Sequence, residues 1–360
     1  MALALTDEQT QLSEAMAGFA LRNGPIAETR ARADELAAGV RPAFWNTLVS
    51  QGFHAVHLPE SVGGQGGELA DAACVIDAAG YGLLPGPLLP TVIAGAVAMT
   101  AEPGPVVTGL LTDLAQGVTA AVVLPAAGQL HAVPAGSGWA LSGTVGPEIG
   151  LSGADRLLVS GRADDGTTLW FLLDGNASGV TVNPGPPTDL SRSVGTLQLE
   201  GLVVGEADVL AGLDAERARG IAVGLLAAEA AGIARWCVDN VVAYLKVREQ
   251  FGRPIGTFQA LQHKAAMLYV NAELAAALAW DAVRAATQSP EQQRAATASA
   301  AIMAIGRLPE LVVEALTMFG AVGYTWEHDL HLYFRRAQTT AALFGGSARH
   351  RALVADRAGL

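Results

Sequence analysis

The chain changes its sequence pattern twice, and this order limits the available folds more than any single motif does. Residues 1–116 carry apolar side chains at helical spacing, residues 117–210 form short β-rich runs separated by Gly, Pro, Asp and Asn, and residues 211–360 return to long helical blocks. We therefore predict a mainly α protein with a central β domain. Its parts would be an N-terminal all-α domain (1–116), a small β-barrel or sandwich (117–210) and a C-terminal four-helix bundle (211–360).

Local signals place the elements within this plan. Thr6 with Gln9 three positions later forms a capping box, and Pro42 suits the first turn of a further helix. The pattern predicts helices over 68–83, 91–116, 214–248, 258–287, 291–319 and 330–343, followed by a shorter terminal helix, and strands over 120–124, 139–144, 156–160, 168–173, 195–199 and 203–209.

Composition and charge narrow the class of protein. With 360 residues, 51% of them hydrophobic, the chain can bury a large core. A net charge of −12 with only 22 Lys and Arg argues against nucleic acid as a partner. We see neither an uninterrupted apolar run of about 18 residues nor a basic leader, so we expect no membrane partner and a cytoplasmic location. Cys74 and Cys237 lie in apolar contexts without metal-ligand spacing, which predicts buried thiols in a reducing compartment.

The segment from Arg248 to Gly256, with Gln259 shortly after it, places a cation, an aromatic ring and an amide at a break between helices. The guanidinium of Arg248 suits a pyrophosphate, Phe251 offers a face to a purine, and Gln259 can donate a hydrogen bond. These are the groups that hold a dinucleotide. The alternative is structural: Arg248 caps the C-terminus of a helix and the residues after it form the turn.

This segment resembles the signature of the acyl-CoA dehydrogenase family of flavoenzymes, and the order of segments is similar to that family from about Leu5 to the C-terminus. The resemblance implies that Arg248, Phe251 and Gln259 hold the diphosphate and adenine of an FAD that belongs to a neighbouring subunit. A second FAD motif of the family, Gln followed two residues later by Gly-Gly, corresponds to the run from Thr317 to Ala321. Gly320 is retained there, while Thr317 and Ala321 replace a Gln and a Gly.

The resemblance also directs the search for a catalytic base. The family glutamate that precedes the last helix corresponds to Phe344, which cannot accept a proton. A subset of relatives places the base at the start of the first bundle helix, where this chain has Glu216, with Arg217 beside the acyl or CoA portion. The alternative is that Glu216 is an ordinary acidic residue of a first helical turn. Glu229 is the second candidate for the base.

The β-rich part lacks the Thr-Glu-Pro-x-x-Gly-Ser-Asp and Trp-Ile-Thr/Ser motifs of relatives that hold their own flavin. In this respect the chain resembles the shorter subunits of heteromeric actinobacterial acyl-CoA dehydrogenases of steroid side-chain breakdown. Trp139 fits a β-core residue better than a flavin neighbour.

Three functional hypotheses follow from the resemblance. The first is an FAD-dependent acyl-CoA dehydrogenase that acts on an acyl-CoA, forms a homo- or hetero-oligomer and passes electrons to an acceptor flavoprotein. The second is a non-catalytic companion subunit that completes the FAD site of an active partner. The third keeps the fold and redirects the flavin to oxygen chemistry.

A metal site is the less favoured interpretation of the two histidines near the C-terminus. His328 and His331 are three residues apart, beside Glu327 and Asp329, but the sequence offers no further ligand at a suitable spacing. We predict capping and ion-pair roles for these side chains, and no metal.

Overall fold

The computed structural model describes residues 5–124, 130–345 and 348–359. The chain divides into two compact units, one formed by residues 1–26, 73–84 and 223–360, the other by residues 27–72 and 85–222. Each unit therefore combines segments that are distant in sequence. The three-domain division at 1–116, 117–210 and 211–360 stays a prediction.

Helices precede and follow a central sheet along the chain, which confirms the predicted fold class. The predicted capping box is present, because Thr6 Oγ1 accepts from Gln9 N and Gln9 Oε1 accepts from Thr6 N, at 3.1 and 3.2 Å. The helices are α1 Asp7–Asn23, α2 Pro25–Ala31, α3 Ala33–Ala37, α4 Trp45–Ser50, α5 Leu69–Tyr81, α6 Leu88–Ala98, α7 Pro105–Ala115, α8 Ala215–Val247, α9 Gln259–Ala285, α10 Pro290–Ala300, α11 Leu308–Phe319, α12 Leu330–Phe344 and α13 Ala348–Ala358.

Two predicted helices are each divided in the structure. The block predicted over 91–116 becomes α6 and α7, because Gly104 adopts an extended conformation and Pro105 starts a new helix. The block predicted over 291–319 becomes α10 and α11, which are joined by a π-helical turn at Ala301–Ile305. The short helices α2 and α3 were not predicted.

The central part forms one mixed sheet of seven strands, in which β4, β2, β3, β7 and β6 are neighbours in that order. Strands β1 and β2 pair with successive parts of one edge of β4, and β5 pairs with its opposite edge. Its core contains Leu141, Leu157, Phe171 and Leu197, and Trp139 packs against it with its ring edge-on to Phe171. Strands β2 and β6 were not predicted, and one long strand replaces the two predicted over 195–209. The strands are β1 Ala120–Val123, β2 Leu130–Ala135, β3 Gly138–Ile149, β4 Arg156–Ala163, β5 Thr168–Asp174, β6 Val180–Pro184 and β7 Val194–Gly205.

The two longest helices, α8 and α9, are apolar enough to cross a membrane by length and composition alone. Neither helix is an uninterrupted apolar run, because charged residues interrupt both. In α8, 89% of the most apolar stretch is buried inside the protein, as in a core helix; in α9 this share is 33%. Helix α9 therefore keeps an uncovered apolar face in the single chain. Cys74 and Cys237 are buried free thiols, as predicted.

A buried histidine predicts a loss of stability at acidic pH. His57 is 2% exposed, and burial, with the nearby His54 as a smaller cause, lowers its pKa to about 4. Between that value and the ordinary pKa of 6.5, the unfolded chain binds a proton that the folded chain does not. We expect the free energy of unfolding to fall by about 2 kcal/mol between pH 6.5 and pH 5 through this residue. Denaturant unfolding at the two pH values measures the loss.

The contribution of His57 is separated by two variants. His57→Gln should flatten this part of the pH dependence, whereas His131→Gln, which changes an exposed histidine of the same unit, should keep the wild-type slope. An unchanged slope in His57→Gln would show that the imidazole titrates normally.

Candidate functional site

A two-residue turn presents Phe251 to solvent beyond the C-terminus of α8. Strand β8 (Glu249–Gln250) pairs with β9 (Arg253–Pro254), and Phe251 and Gly252 form the turn between them. Their φ angles are +54° and +74°, as a type I′ turn requires at both central positions. Such a φ is unfavourable for an aromatic residue, and Phe251 is also 91% exposed. Neither backbone preference nor burial explains the ring at this position, and such outliers concentrate at functional sites.

Arg248 and Gln259 flank this hairpin, and both are exposed. The Arg248 carbonyl accepts from Ile255 N at 2.8 Å, which fixes the base of the hairpin. Within the described part of the chain, the guanidinium makes no hydrogen bond or ion pair, so it does not cap α8 through such a contact. Gln259 is the first residue of α9, whose N-terminus has no side-chain cap. A free cation beside an uncapped helix N-terminus favours an anionic ligand.

The second predicted segment lies at the same end of the helical bundle. Tyr244 of α8 packs on Phe319 of α11 with ring centroids 4.8 Å apart, which places the ends of the two helices together. Gly320 follows α11 with φ +65° and ψ −146°, a conformation that essentially only glycine adopts. Thr317 Oγ1 donates to Val313 O at 2.9 Å, and Ala321 is exposed. The structure thus brings together Arg248, Phe251, Gln259, Thr317, Gly320 and Ala321 at this end, hereafter the bundle-end site.

Glu216 and Arg217 lie in the first turn of α8, in the other compact unit. Asp214 caps this helix, since its Oδ1 accepts from Arg217 N at 2.7 Å. Glu216 is half-buried and Arg217 is exposed. Because Asp214 supplies the cap, Glu216 is not needed for that role. The assignment of Glu216 as base stays a prediction.

Glu229 forms a buried ion pair with Arg336, a partner that the sequence did not identify. Its Oε1 lies 3.1 Å from Arg336 Nη1, and the two side chains are 6% and 1% exposed. Arg336 also donates from both Nη atoms to the carbonyl of Leu84, at 3.1 Å each. Because Glu229 binds a buried guanidinium, this geometry favours a structural role for it over that of a base.

Phe344, His328 and His331 each make structural contacts. Phe344 is the last residue of α12 and is 6% exposed, so its ring belongs to the core. His328 Nδ1 accepts from Leu330 N at 3.2 Å, a capping contact, and the His331 ring stacks on Trp326 at 4.5 Å. Across the described residues, no group of three or more His, Cys, Asp or Glu is placed to hold a metal ion.

The exposed part of α9 carries a row of apolar residues among polar and charged ones. Met267, Val270 and Leu274 lie on it at helical spacing and are 58%, 53% and 40% exposed. Met267 and Leu274 also line a groove of about 760 Å³ between α9 and α11, which includes Val313. An apolar face of this kind, carried by a long helix, is typical of a surface that binds another protein.

Comparison with known proteins identifies the relatives of this chain. Residues 6–102 match the N-terminal domain of acyl-CoA dehydrogenases, and residues 209–359 match the C-terminal domain. The acyl-CoA dehydrogenase IpdE2 of Mycolicibacterium smegmatis is 34% identical over 95% of this chain and 96% of its own length. The acyl-CoA dehydrogenase FadE34 of Mycobacterium tuberculosis is 36% identical over 97% of this chain, which spans 48% of that longer protein.

Solved structures give the same similarity. A chain of the Tcur3481-Tcur3483 steroid ACAD G363A variant superposes with a TM-score of 0.88 at 29% identity, and covers 98% of this chain and 99% of its own. A chain of the ChsE4-ChsE5 complex from Mycobacterium tuberculosis gives a TM-score of 0.88 at 26% identity, with full coverage of both chains.

Proposed function

Because the chain belongs to the acyl-CoA dehydrogenase family, we propose that it is a subunit of an FAD-dependent acyl-CoA dehydrogenase and binds FAD through the bundle-end site. The single observation that carries this proposal is Phe251, held in an unfavourable backbone conformation and almost fully exposed beside the unpaired Arg248. A ring and a cation exposed together suit an adenine and a diphosphate.

The bundle-end site fits one end of an FAD molecule. Arg248 has a free fork of donors for the diphosphate, Gln259 and the uncapped N-terminus of α9 add further donors, and Phe251 supplies a stacking face. Gly320 has no side chain to obstruct a close approach. Thr317 and Ala321 are the weaker part of the fit, since the Thr317 hydroxyl is already bonded within its own helix.

The proposed reaction is the α,β-dehydrogenation of an acyl-CoA thioester. The carboxylate of Glu216 takes the proton from Cα, and Arg217 lies beside the acyl or CoA portion. Bound FAD would supply the acceptor for the hydride that leaves Cβ. The Cα and Cβ hydrogens are thereby removed as a proton and a hydride, and a double bond remains between the two carbons. A bulky or steroid side-chain acyl group is the substrate that we propose, on the strength of the steroid enzyme among the similar structures.

Replacement of Glu216 by Gln tests the proposed base. We expect the rate of flavin bleaching by the acyl-CoA substrate to fall by at least about a hundredfold, within the usual contribution of a general base. The bound flavin should be retained, because Glu216 lies outside the bundle-end site. Stopped-flow absorbance of the assembled protein measures the rate, with Glu206→Gln, at an exposed position of the same unit, as control. Bleaching at the wild-type rate in Glu216→Gln would remove this residue from the mechanism.

The second candidate function is that of a non-catalytic companion that completes the FAD site of an active partner. The ring of Phe344, buried where the family has its usual base, favours it, as do Thr317 and Ala321. Purification of the chain with and without candidate partner subunits distinguishes the two functions. If flavin is bleached in the assembly but Glu216→Gln changes nothing, this chain is the companion.

The proposed partners follow from the uncovered surface. We propose that a second acyl-CoA dehydrogenase subunit, of the same or another sequence, covers Met267, Val270 and Leu274 on α9, giving a dimer or a tetramer. Similarity to a chain of the ChsE4-ChsE5 complex supports a pairing of unlike subunits. We also propose an electron-acceptor flavoprotein as the oxidant of the reduced FAD, and a cytoplasmic location.

A further inference from the structure

Phe258 is the residue that joins the exposed hairpin to α9, and its backbone is fixed on both sides. A short 3₁₀ turn, Ile255–Thr257, connects β9 to Phe258, and Phe258 N donates to Ile255 O at 3.1 Å. The Phe258 carbonyl accepts from Leu261 N and Gln262 N in the first turn of α9, at 3.0 and 3.1 Å. The position of the Phe258 side chain is therefore set by the start of this long helix.

The half-buried ring of Phe258 contacts two side chains of the hairpin. The guanidinium carbon of Arg253 lies over the ring, 4.2 Å from its centroid. The centroid of the Phe251 ring lies 6.0 Å from that of Phe258, and the two rings are nearly perpendicular, at 85°. Both distances are typical of favourable cation–π and aromatic contacts. Phe258 thus connects strand β9, through Arg253, with the turn residue Phe251.

The pairing of the hairpin explains why Arg253 reaches this ring. Arg253 pairs with Gln250, so the two side chains start from the same face of the two-stranded sheet. Gln250 Nε2 donates to the carbonyl of Glu249 at 2.8 Å, and this side chain therefore folds back along its own strand. Among the described residues, no carboxylate lies within ion-pair distance of Arg253. Its guanidinium instead lies on Phe258.

The contact with Phe258 restricts a ring that would otherwise rotate freely. Phe251 is 91% exposed, and an exposed side chain exchanges between rotamers unless a neighbour restricts it. A ligand that stacks on a mobile ring has to immobilise it, which weakens binding. Because Phe258 and the positive φ angles of the turn act on Phe251 before any ligand arrives, the stacking surface is already oriented in the ligand-free protein.

We propose that Phe258, supported by Arg253, is a positioning residue of the bundle-end site: it holds the Phe251 ring in the orientation that stacks on the adenine of FAD. This inference rests on the proposed binding of FAD at that site. Phe258 acts through Phe251 and not through a contact with the cofactor. Its replacement should therefore weaken FAD binding only while the Phe251 ring is present.

A double-mutant cycle tests this dependence. Phe258→Leu should raise the Kd for FAD about threefold to tenfold, the usual contribution of an aromatic pair. In the background of Phe251→Asn, which removes the ring but leaves the Asn-Gly pair that a type I′ turn prefers, Phe258→Leu should have no further effect. Phe258→Tyr keeps the ring and should bind FAD as the wild type does. An equal increase of Kd in both backgrounds overturns the proposal.

A second cycle separates the orientation of the ring from damage to the whole hairpin. Arg248→Met should weaken FAD binding by the same factor in the wild type and in Phe258→Leu, because the Arg248 carbonyl is bonded to Ile255 N and not to Phe258. If the factor is smaller in Phe258→Leu, the substitution disrupts the site as a whole and the positioning role is wrong.

Matched arginine variants test the support from Arg253. Arg253→Met should raise the Kd for FAD about twofold to fivefold, the range of an exposed cation–π contact, and should have no further effect in Phe258→Leu. Arg284→Met removes a guanidinium that lies over Trp280 at 5.8 Å in the last turn of α9, far from Gln259, and should keep the wild-type Kd. An effect of Arg253→Met that persists in Phe258→Leu would show that Arg253 acts by its charge alone.

Fluorine NMR of the ligand-free protein tests the orientation of the ring without FAD. With 4-fluorophenylalanine in place of Phe251, Phe258→Leu should move the resonance toward its position in the denaturant-unfolded protein, and Phe258→Tyr should not. An unmoved resonance in Phe258→Leu contradicts the proposal. If the wild-type assembly binds no FAD, the proposed function fails, while the resonance still decides whether Phe258 positions the Phe251 ring.

Discussion

Replacing Arg336 with Met should lower the free energy of unfolding by about 3–5 kcal/mol, the usual effect of removing one member of a buried ion pair. The guanidinium is 1% exposed and bonds both to Glu229 and to the carbonyl of Leu84. Its removal leaves a buried carboxylate and a buried carbonyl without these donors, and methionine cannot replace them. Denaturant unfolding followed by far-UV circular dichroism measures the loss.

Two further variants show whether the loss comes from an uncompensated charge. Glu229→Met combined with Arg336→Met should recover much of the stability, because replacement of both charges by apolar groups removes the desolvation cost. Arg294→Met, at an exposed position of α10, should change stability by less than about 0.5 kcal/mol. A double variant as unstable as Arg336→Met would show that hydrogen bonding to Leu84, rather than the ion pair, is decisive.

Replacing Arg248 with Met should weaken FAD binding about tenfold to a hundredfold. A hydrogen bond to a charged group contributes about 1.5–3 kcal/mol, and Arg248 has no described partner that competes for its donors. The fold should be unaffected, because the side chain is exposed. Titration of the flavin-free assembly with FAD gives the Kd.

The contribution of Arg248 to FAD binding should depend on the shape of its guanidinium as well as on its charge. Arg248→Lys keeps the charge but loses the planar fork, and should give an intermediate Kd. Arg294→Met removes a positive charge from another surface and should bind FAD as the wild type does. An unchanged Kd in Arg248→Met would exclude this residue from the cofactor site.

The sequence sufficed for the fold class because periodicity is a local property. The helices from α8 to α12 and five of the seven strands of the main sheet lie close to their predicted positions. The break at Gly104-Pro105 was visible in the sequence but was underestimated, since apolar spacing continues across it. The π-helical turn at Ala301–Ile305 and the exposed strand β6 depend on their neighbours in space, which periodicity does not report.

Local sequence patterns likewise identify only those parts of the candidate site whose residues are close together in the sequence. Arg248, Phe251 and Gln259 are close in sequence and could be recognised as a group. The pair of Glu229 with Arg336 joins residues 107 positions apart, and Glu148 meets Leu124 only after the sheet has formed. A charged residue within an otherwise apolar helical stretch, as at Glu229, was the one local signal that a buried partner exists.

If the bundle-end site of one subunit binds an FAD that a neighbouring subunit shares, dilution of the purified assembly should release flavin and separate the subunits together. Flavin release, followed by the recovery of free-flavin fluorescence, and subunit dissociation, followed by mass photometry, would be measured over the same range of protein concentrations. We expect the two curves to coincide. Flavin that stays bound to the separated protomers would show that no neighbouring subunit is needed to hold it.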